Sequence, residues 1–148
     1  MKQKTLFGSL LSLIFGTVIY LLFRTPSLKV FSWLKLFNID FLDSDFRKYS
    51  ISNVEKFPDW FLFSLPDGLW ISSYVLLVIF IWNFKINFHS IFWISVIPTI
   101  AVCSEIGQAM RIVQGTFDSF DLLFYVLGFI IPLLSIFKNK TINPLDYV

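Results

Sequence analysis

The sequence predicts an all-α integral membrane fold: four transmembrane helices in an antiparallel bundle, with an interfacial amphipathic helix in the first loop. Two observations of composition and one of position carry that expectation. Of 148 residues, 56% are hydrophobic and 15% charged, where a soluble chain carries about 25% charged residues. Mean hydropathy is +0.73. Uncharged runs recur at the length a bilayer demands, about 20 apolar helical residues for a core near 30 Å, and charges stand at their ends.

The first span is residues 5–23, TLFGSLLSLIFGTVIYLLF, with Lys2 and Lys4 before it and Arg24 after it. A cleaved secretory signal also sets basic residues before an apolar stretch. This stretch is too long for one, and no small-x-small cleavage site follows it. The second span, 68–84, ends at Lys85, and the third, 86–105, contains Pro98 and closes on Glu105. Proline is tolerated inside a span because neighbouring helices re-satisfy the carbonyl it frees. The fourth, 119–137, is expected to kink at Pro132 and ends at Lys138. All four belong to one membrane domain, residues 1–148.

The loop between the first two spans, residues 24–67, is not linker-like. Val30, Trp33, Leu34, Phe37 and Phe41 recur at helical spacing, with Ser32, Lys35 and Asn38 opposite, the pattern of a helix lying in the interface plane. Trp60 and Trp70 suit headgroup depth. Four spans put both termini on one side, together with Lys2, Lys4, Lys85, Lys138 and Lys140. The opposing basic residues, Arg24, Lys29, Lys35, Arg47, Lys48, Lys56 and Arg111, lie mostly in a loop rich in acids. Short flanks weigh more than such a loop, so both termini are expected in the cytoplasm.

The net charge of +2 comes from 12 basic and 10 acidic residues without a basic run, which argues against a nucleic-acid partner. A single cysteine, Cys103, and a single histidine, His89, exclude an internal disulfide, a zinc finger and a multi-His metal site. His89 falls near the opposite face from the acids, and Cys103 reads as a small packing residue.

Antiparallel spans bring the start of the second, the end of the third and the start of the fourth to one face. Asp67, the trio Glu105, Gln108 and Arg111, and the trio Asp118, Asp121 and Tyr125 gather there. Side chains three or four apart stack along one helix face, so the third and fourth spans can point polar groups at each other. About 30 Å of helix counted back from Phe137 reaches Asp118, which leaves Asp121 a turn inside the boundary. A carboxylate at a span's centre costs about 2.5–3.5 kcal/mol, less near the interface. A polar cavity shared with Arg111 and Gln108 would offset that cost. Arg111 alone against so many carboxylates leaves a surplus of like charge, to be met by a retained proton, a cation or a donor-bearing ligand.

Plainer roles compete for the same residues. Asp67 suits the first turn of the second span, where the helix dipole favours it. Asp118 suits an N-cap after the Gly115-Thr116 turn. Arg111 could simply lock Glu105 or Asp118 in an ion pair. Asp121 lies deeper than a cap requires.

The run Glu105-Ile106-Gly107-Gln108, then Phe117 to Leu122 (FDSFDL), then Tyr125 and Gly128, resembles the signature of the VanZ-like family. Members are small multi-span proteins of bacterial envelopes with Glu-x-x-Gln, then Asp-x-x-Asp and a later Asn and Gly. Tyr125 stands where Asn is usual and Gly115 where an Arg is common, with Arg111 a substitute from one turn earlier. Upstream, Asp67 and Tyr74 fit the family frame, while Gly68 and Ile71 replace a Lys and a His. The resemblance covers roughly residues 66–135. It implies a multi-pass protein of the bacterial cytoplasmic membrane. Through the founding member's association with low-level teicoplanin resistance, it also implies a glycopeptide-resistance-type role.

The candidate ligand-binding residues are therefore Asp67, Trp70, Tyr74, Glu105, Gln108, Arg111, Asp118, Asp121 and Tyr125. The leading expectation is an extracytoplasmic polar pocket that binds or modulates a cell-envelope lipid, a precursor or a lipoglycopeptide. A rival is an intramembrane hydrolase or transferase on a lipid-linked substrate, with Glu105 or Asp121 as general acid or base. Asp118 and Asp121 could then hold a divalent cation, the one cofactor left open. No Ser-His pair, Gly-rich phosphate loop or full metal set accompanies them. A third reading is a membrane assembly or partner subunit docking through Trp33, Phe37 or Trp60, and a homo-oligomer stays open.

Overall fold

The computed structural model describes residues 2–38 and 41–140, with side chains through residue 134. Among them all regular structure is helical: α1 (Lys2–Phe23), α2 (Lys29–Leu36), α3 (Asp45–Ser52), a 3-10 turn (Val54–Lys56), α4 (Asp59–Leu62), α5 (Ser64–Ile81), α6 (Phe88–Ala109) and α7 (Ser119–Lys140). Three of them, α1, α5 and α6, are long and apolar enough to cross a membrane, whereas the apolar stretch described for α7, Ser119–Leu134, is shorter. The side chains of Lys138 and Lys140, which entered the orientation argument, lie outside the described residues.

Local signals move the expected boundaries. The second span begins at Ser64 rather than 68, because Pro66 fits a first turn whose N–H groups lack intrahelical partners anyway. It ends at Ile81 rather than 84, since Asn83 and Phe84 take φ of 53° and 62°. Their N–H groups donate to the carbonyls of Phe80 and Ile79, both at 3.1 Å, the hydrogen-bonded close of a Schellman motif. The third span begins at Phe88 rather than 86, because Asn87 and Ser90 cap it reciprocally. Asn87 Oδ1 accepts the Ser90 N–H at 2.8 Å, and Ser90 Oγ accepts the Asn87 N–H at 2.9 Å. It then continues past Glu105 to Ala109, and both α6 and α7 run through their prolines, Pro98 and Pro132.

The first loop does not hold one long amphipathic helix. Asn38, at φ 57°, stops α2 after two turns, and α3, the 3-10 turn and α4 follow. Of the stripe expected to lie in the interface plane, Trp33 is 60% exposed and Phe37 77%, while Phe31, outside that stripe, is the anchor at 2%.

Helices in lipid gain little from the hydrophobic effect, so close packing rests on small residues and interhelical hydrogen bonds. Here α5 is the central helix. It packs against α1, and α5, α6 and α7 pack on one another. Against antiparallel α1, Ser9 Oγ donates to the Ser73 carbonyl at 2.8 Å, and a Cβ on Gly16 would stand 3.0 Å from the Pro66 carbonyl oxygen. Against parallel α7, backbones nearly touch. A Cβ on Gly68 would meet the Phe124 carbonyl oxygen at 2.8 Å, and one on Gly128 would run into the Gly68 carbonyl. Ser72 Oγ donates to the Gly128 carbonyl at 3.0 Å. Further along, Ile71, Val75, Val78, Ile79 and Ile94 form the core, with Tyr125, Phe129 and Leu133 against it.

The outer faces stay apolar. Leu10, Leu11 and Ile14 on α1, Ile91 and Ile100 on α6, and Leu123, Leu127 and Ile130 on α7 are all exposed. A soluble monomer rarely exposes contiguous apolar patches beyond a few hundred Å²; hydrocarbon is the solvent these faces suit.

Candidate functional site

Because α5 and α7 run parallel and α6 antiparallel to both, the N-termini of α5 and α7 meet the C-terminus of α6 at one end. Asp67 occupies the first turn of α5 and Asp121 the first turn of α7, where the positive ends of two helix dipoles favour carboxylates. Glu105, near the C-terminus of α6, has no such dipole in its favour. It is 2% exposed, and its Oε1 accepts the Asp118 N–H at 2.6 Å, a donor that no helical carbonyl reaches. Asp118 Oδ1 in turn accepts the Phe120 N–H at 2.8 Å, so Asp118 acts as a cap.

Inside this frame Tyr125 Oη donates to Asp67 Oδ2 at 3.5 Å. Asp121 Oδ1 is buried without a hydrogen-bond partner among the described residues. The charges of Asp121 and Glu105 repel that of Asp67, and Arg24 attracts it. Asp67 and Tyr125 line an open groove of about 260 Å³, together with Trp70, Ile71 and Ile97. The Trp70 Nε1–H donates to Thr17 Oγ1 at 3.3 Å, and its ring lies 5.0 Å from that of Tyr20. α1 thus holds one wall of the groove.

The structure therefore brings together Asp67, Trp70, Glu105, Asp118, Asp121 and Tyr125. Three other expected residues stand apart from that group. Tyr74 donates its hydroxyl to the Trp93 carbonyl and ties α5 to α6. Gln108 packs over Gly115, where a Cβ would fall 2.7 Å from its Cδ and where φ is 140°; a residue other than glycine would be strained there. Arg111 is exposed. The spacing that aligned it with Glu105 fails because α6 stops at Ala109, leaving Arg111 at φ 60° while the Ile112 N–H closes the helix on the Gly107 carbonyl at 2.9 Å.

The cation of the site is Arg24, which the sequence presents only as a flank of the first span. Its Nη2 donates to the Phe63 carbonyl at 3.3 Å, and its guanidinium carbon lies 5.1 Å from the Phe63 ring centroid and 5.3 Å from that of Tyr20. Arg47 enters the sequence reading only as one basic residue of the first loop. Only 1% exposed, it donates from Nη1 to the Leu21 carbonyl and from Nη2 to the Arg24 carbonyl at 2.5 Å, over the Phe31 ring at 4.7 Å. It satisfies orphan carbonyls at the negative end of α1, although burial lowers its pKa from the ordinary guanidinium value. No spacing rule marks such a long-range cap. The small-residue contacts do carry a local sequence signal: Gly8, Ser12 and Gly16 repeat every four residues, as do Ser64, Gly68 and Ser72.

Among the described residues no three His, Cys, Asp or Glu side chains are grouped to hold a metal ion, and one oxygen of Asp118 is already taken by its own cap. No family model, no curated protein and no solved structure matches the chain.

Proposed function

We propose that this chain is a VanZ-like protein of the bacterial cytoplasmic membrane, spanning it four times through α1, α5, α6 and α7, with both termini cytoplasmic. Its extracytoplasmic pocket binds the headgroup of a cell-envelope lipid, lipid-linked precursor or lipoglycopeptide. The loop helices lie in the headgroup layer, consistent with the exposure of Trp33 and Phe37.

One observation carries the binding role: Asp121 Oδ1, buried and unpartnered, within electrostatic reach of Asp67. A buried acceptor without a donor costs about 1–3 kcal/mol, which a ligand N–H or O–H recovers. Arg24 cannot balance three carboxylates, so the favoured ligand brings positive charge or several donors. Asp121→Asn should abolish retention of envelope lipids by the purified protein, read by native mass spectrometry, while membrane abundance stays unchanged. If abundance falls in step with retention, Asp121 holds the fold and the binding role is wrong.

A further inference from the structure

Tyr125 borders two grooves. Its hydroxyl donates to Asp67 beside the first groove, and it also lines an apolar groove of about 210 Å³ between α6 and α7, with Pro98, Thr99, Val102, Cys103, Val126 and Phe129. Cys103 and Val126 are exposed, so this second groove opens sideways onto the apolar flank of the helices rather than toward their ends. We infer that the ligand is an amine-bearing phospholipid whose acyl chain lies along the α6–α7 groove while its ammonium group sits at Asp67 and Asp121. This assignment deepens the headgroup-binding reading and rests on it.

Continuity through one residue is the geometric argument. A molecule with a charged end at Asp67 reaches the α6–α7 groove past Tyr125, the residue the two grooves share. Charge supplies the chemical argument. Three acidic side chains, Asp67, Asp121 and Glu105, are set against one arginine, Arg24, within mutual influence of Asp67. A zwitterionic amine–phosphate headgroup offers N–H donors to the carboxylates and an anion to the arginine, and the ammonium's charge-assisted hydrogen bonds are the strong kind. The chain itself gains little by leaving one hydrocarbon for another. The groove therefore sets where the chain lies, and affinity resides in the headgroup. The test accordingly reads position.

The full chain in phosphatidylcholine nanodiscs is irradiated with a lysophosphatidylethanolamine carrying a mid-chain diazirine, and crosslinked residues are mapped by mass spectrometry. Crosslinks should concentrate on Val102, Val126 and Phe129, about tenfold above the outward residues Leu10 and Ile14 of α1. Val126→Trp, or Thr99→Phe should the first fail to fold, fills the groove and should remove that enrichment. An even spread over all apolar faces, or enrichment that survives both substitutions, overturns the chain's path even where Asp121→Asn behaves as proposed. Equal enrichment with the choline counterpart of the probe overturns the amine assignment, while the headgroup reading stands or falls separately on the Asp121→Asn retention measurement.

Discussion

Replacing Gly128 by alanine probes the crossing that aligns the whole site. The added Cβ would meet Gly68 backbone: its carbonyl oxygen, its carbonyl carbon at 3.1 Å and its Cα at 3.2 Å. Backbone cannot swing aside as a flexible side chain can, so α5 and α7 must separate by about 1 Å in an interior packed to crystal-like density. Overpacking of this kind costs about 1–3 kcal/mol, and separation also stretches the Ser72–Gly128 hydrogen bond, worth about 0.6 kcal/mol in a membrane protein. Gly8→Ala is the matched control. Its Cβ would meet only Leu76 Cδ1 at an ordinary 3.6 Å, and it shares the same helix-propensity gain. Gly128→Ala should therefore be less stable than Gly8→Ala by about 2 kcal/mol. Reversible unfolding in mixed micelles, followed by tryptophan fluorescence while the denaturing detergent is raised, measures the difference. Equal stabilities for the two variants would refute the backbone crossing and the alignment of Asp67 with Tyr125 that depends on it.

Three shorter expectations follow from the same geometry. Glu105→Ala leaves the Asp118 N–H without its acceptor and should destabilise the fold by about 1.5–3 kcal/mol, with Glu105→Gln recovering part of that, in the same unfolding assay. Arg47→Lys keeps the charge but loses the fork that reaches two carbonyls; faster tryptic cleavage within the first loop, at Lys48 or Lys56, should report its release. Arg111→Gly relieves a left-handed backbone that costs an L-residue about 1–2 kcal/mol. It should raise stability without weakening lipid retention, and lost retention would return Arg111 to the binding site.

How much was legible in the sequence depended on whether the signal was local. The apolar runs that became α1, α5 and α6 were plain because each is long and closes on a charge, and burial then only chose their partners. Their ends were less plain: Asn83, Phe84 and Arg111 adopt left-handed backbone without being glycine, and no propensity scale flags those positions. The carboxylates of the site could be foreseen because antiparallel connectivity brings α5, α6 and α7 to one end whatever their packing. The cation could not be foreseen in the same way. Arg111 was expected on helical spacing from Glu105, which requires a helix that in fact stops two residues short of it. Arg24 and Arg47 act through the first loop, whose path follows from the burial of Phe31 rather than from its apolar periodicity.

That loop bears directly on the electrostatics of the site. Three carboxylates persist together at one end of the helices because each has a different local support: the N-terminus of α5 for Asp67, that of α7 for Asp121, and the Asp118 N–H for Glu105. None of these supports neutralises charge. The only cation that acts on Asp67 among the described residues is Arg24, just beyond the last turn of α1. Its backbone carbonyl is gripped by Arg47, and its guanidinium is held against Phe63, the residue that immediately precedes α5. A buried arginine in a surface loop thus fixes the origin from which the site's counter-charge projects. Loosening that clamp moves positive charge away from Asp67 without touching a residue of the groove, so the loop's attachment to α1 sets how strongly the proposed pocket would favour a cationic ligand.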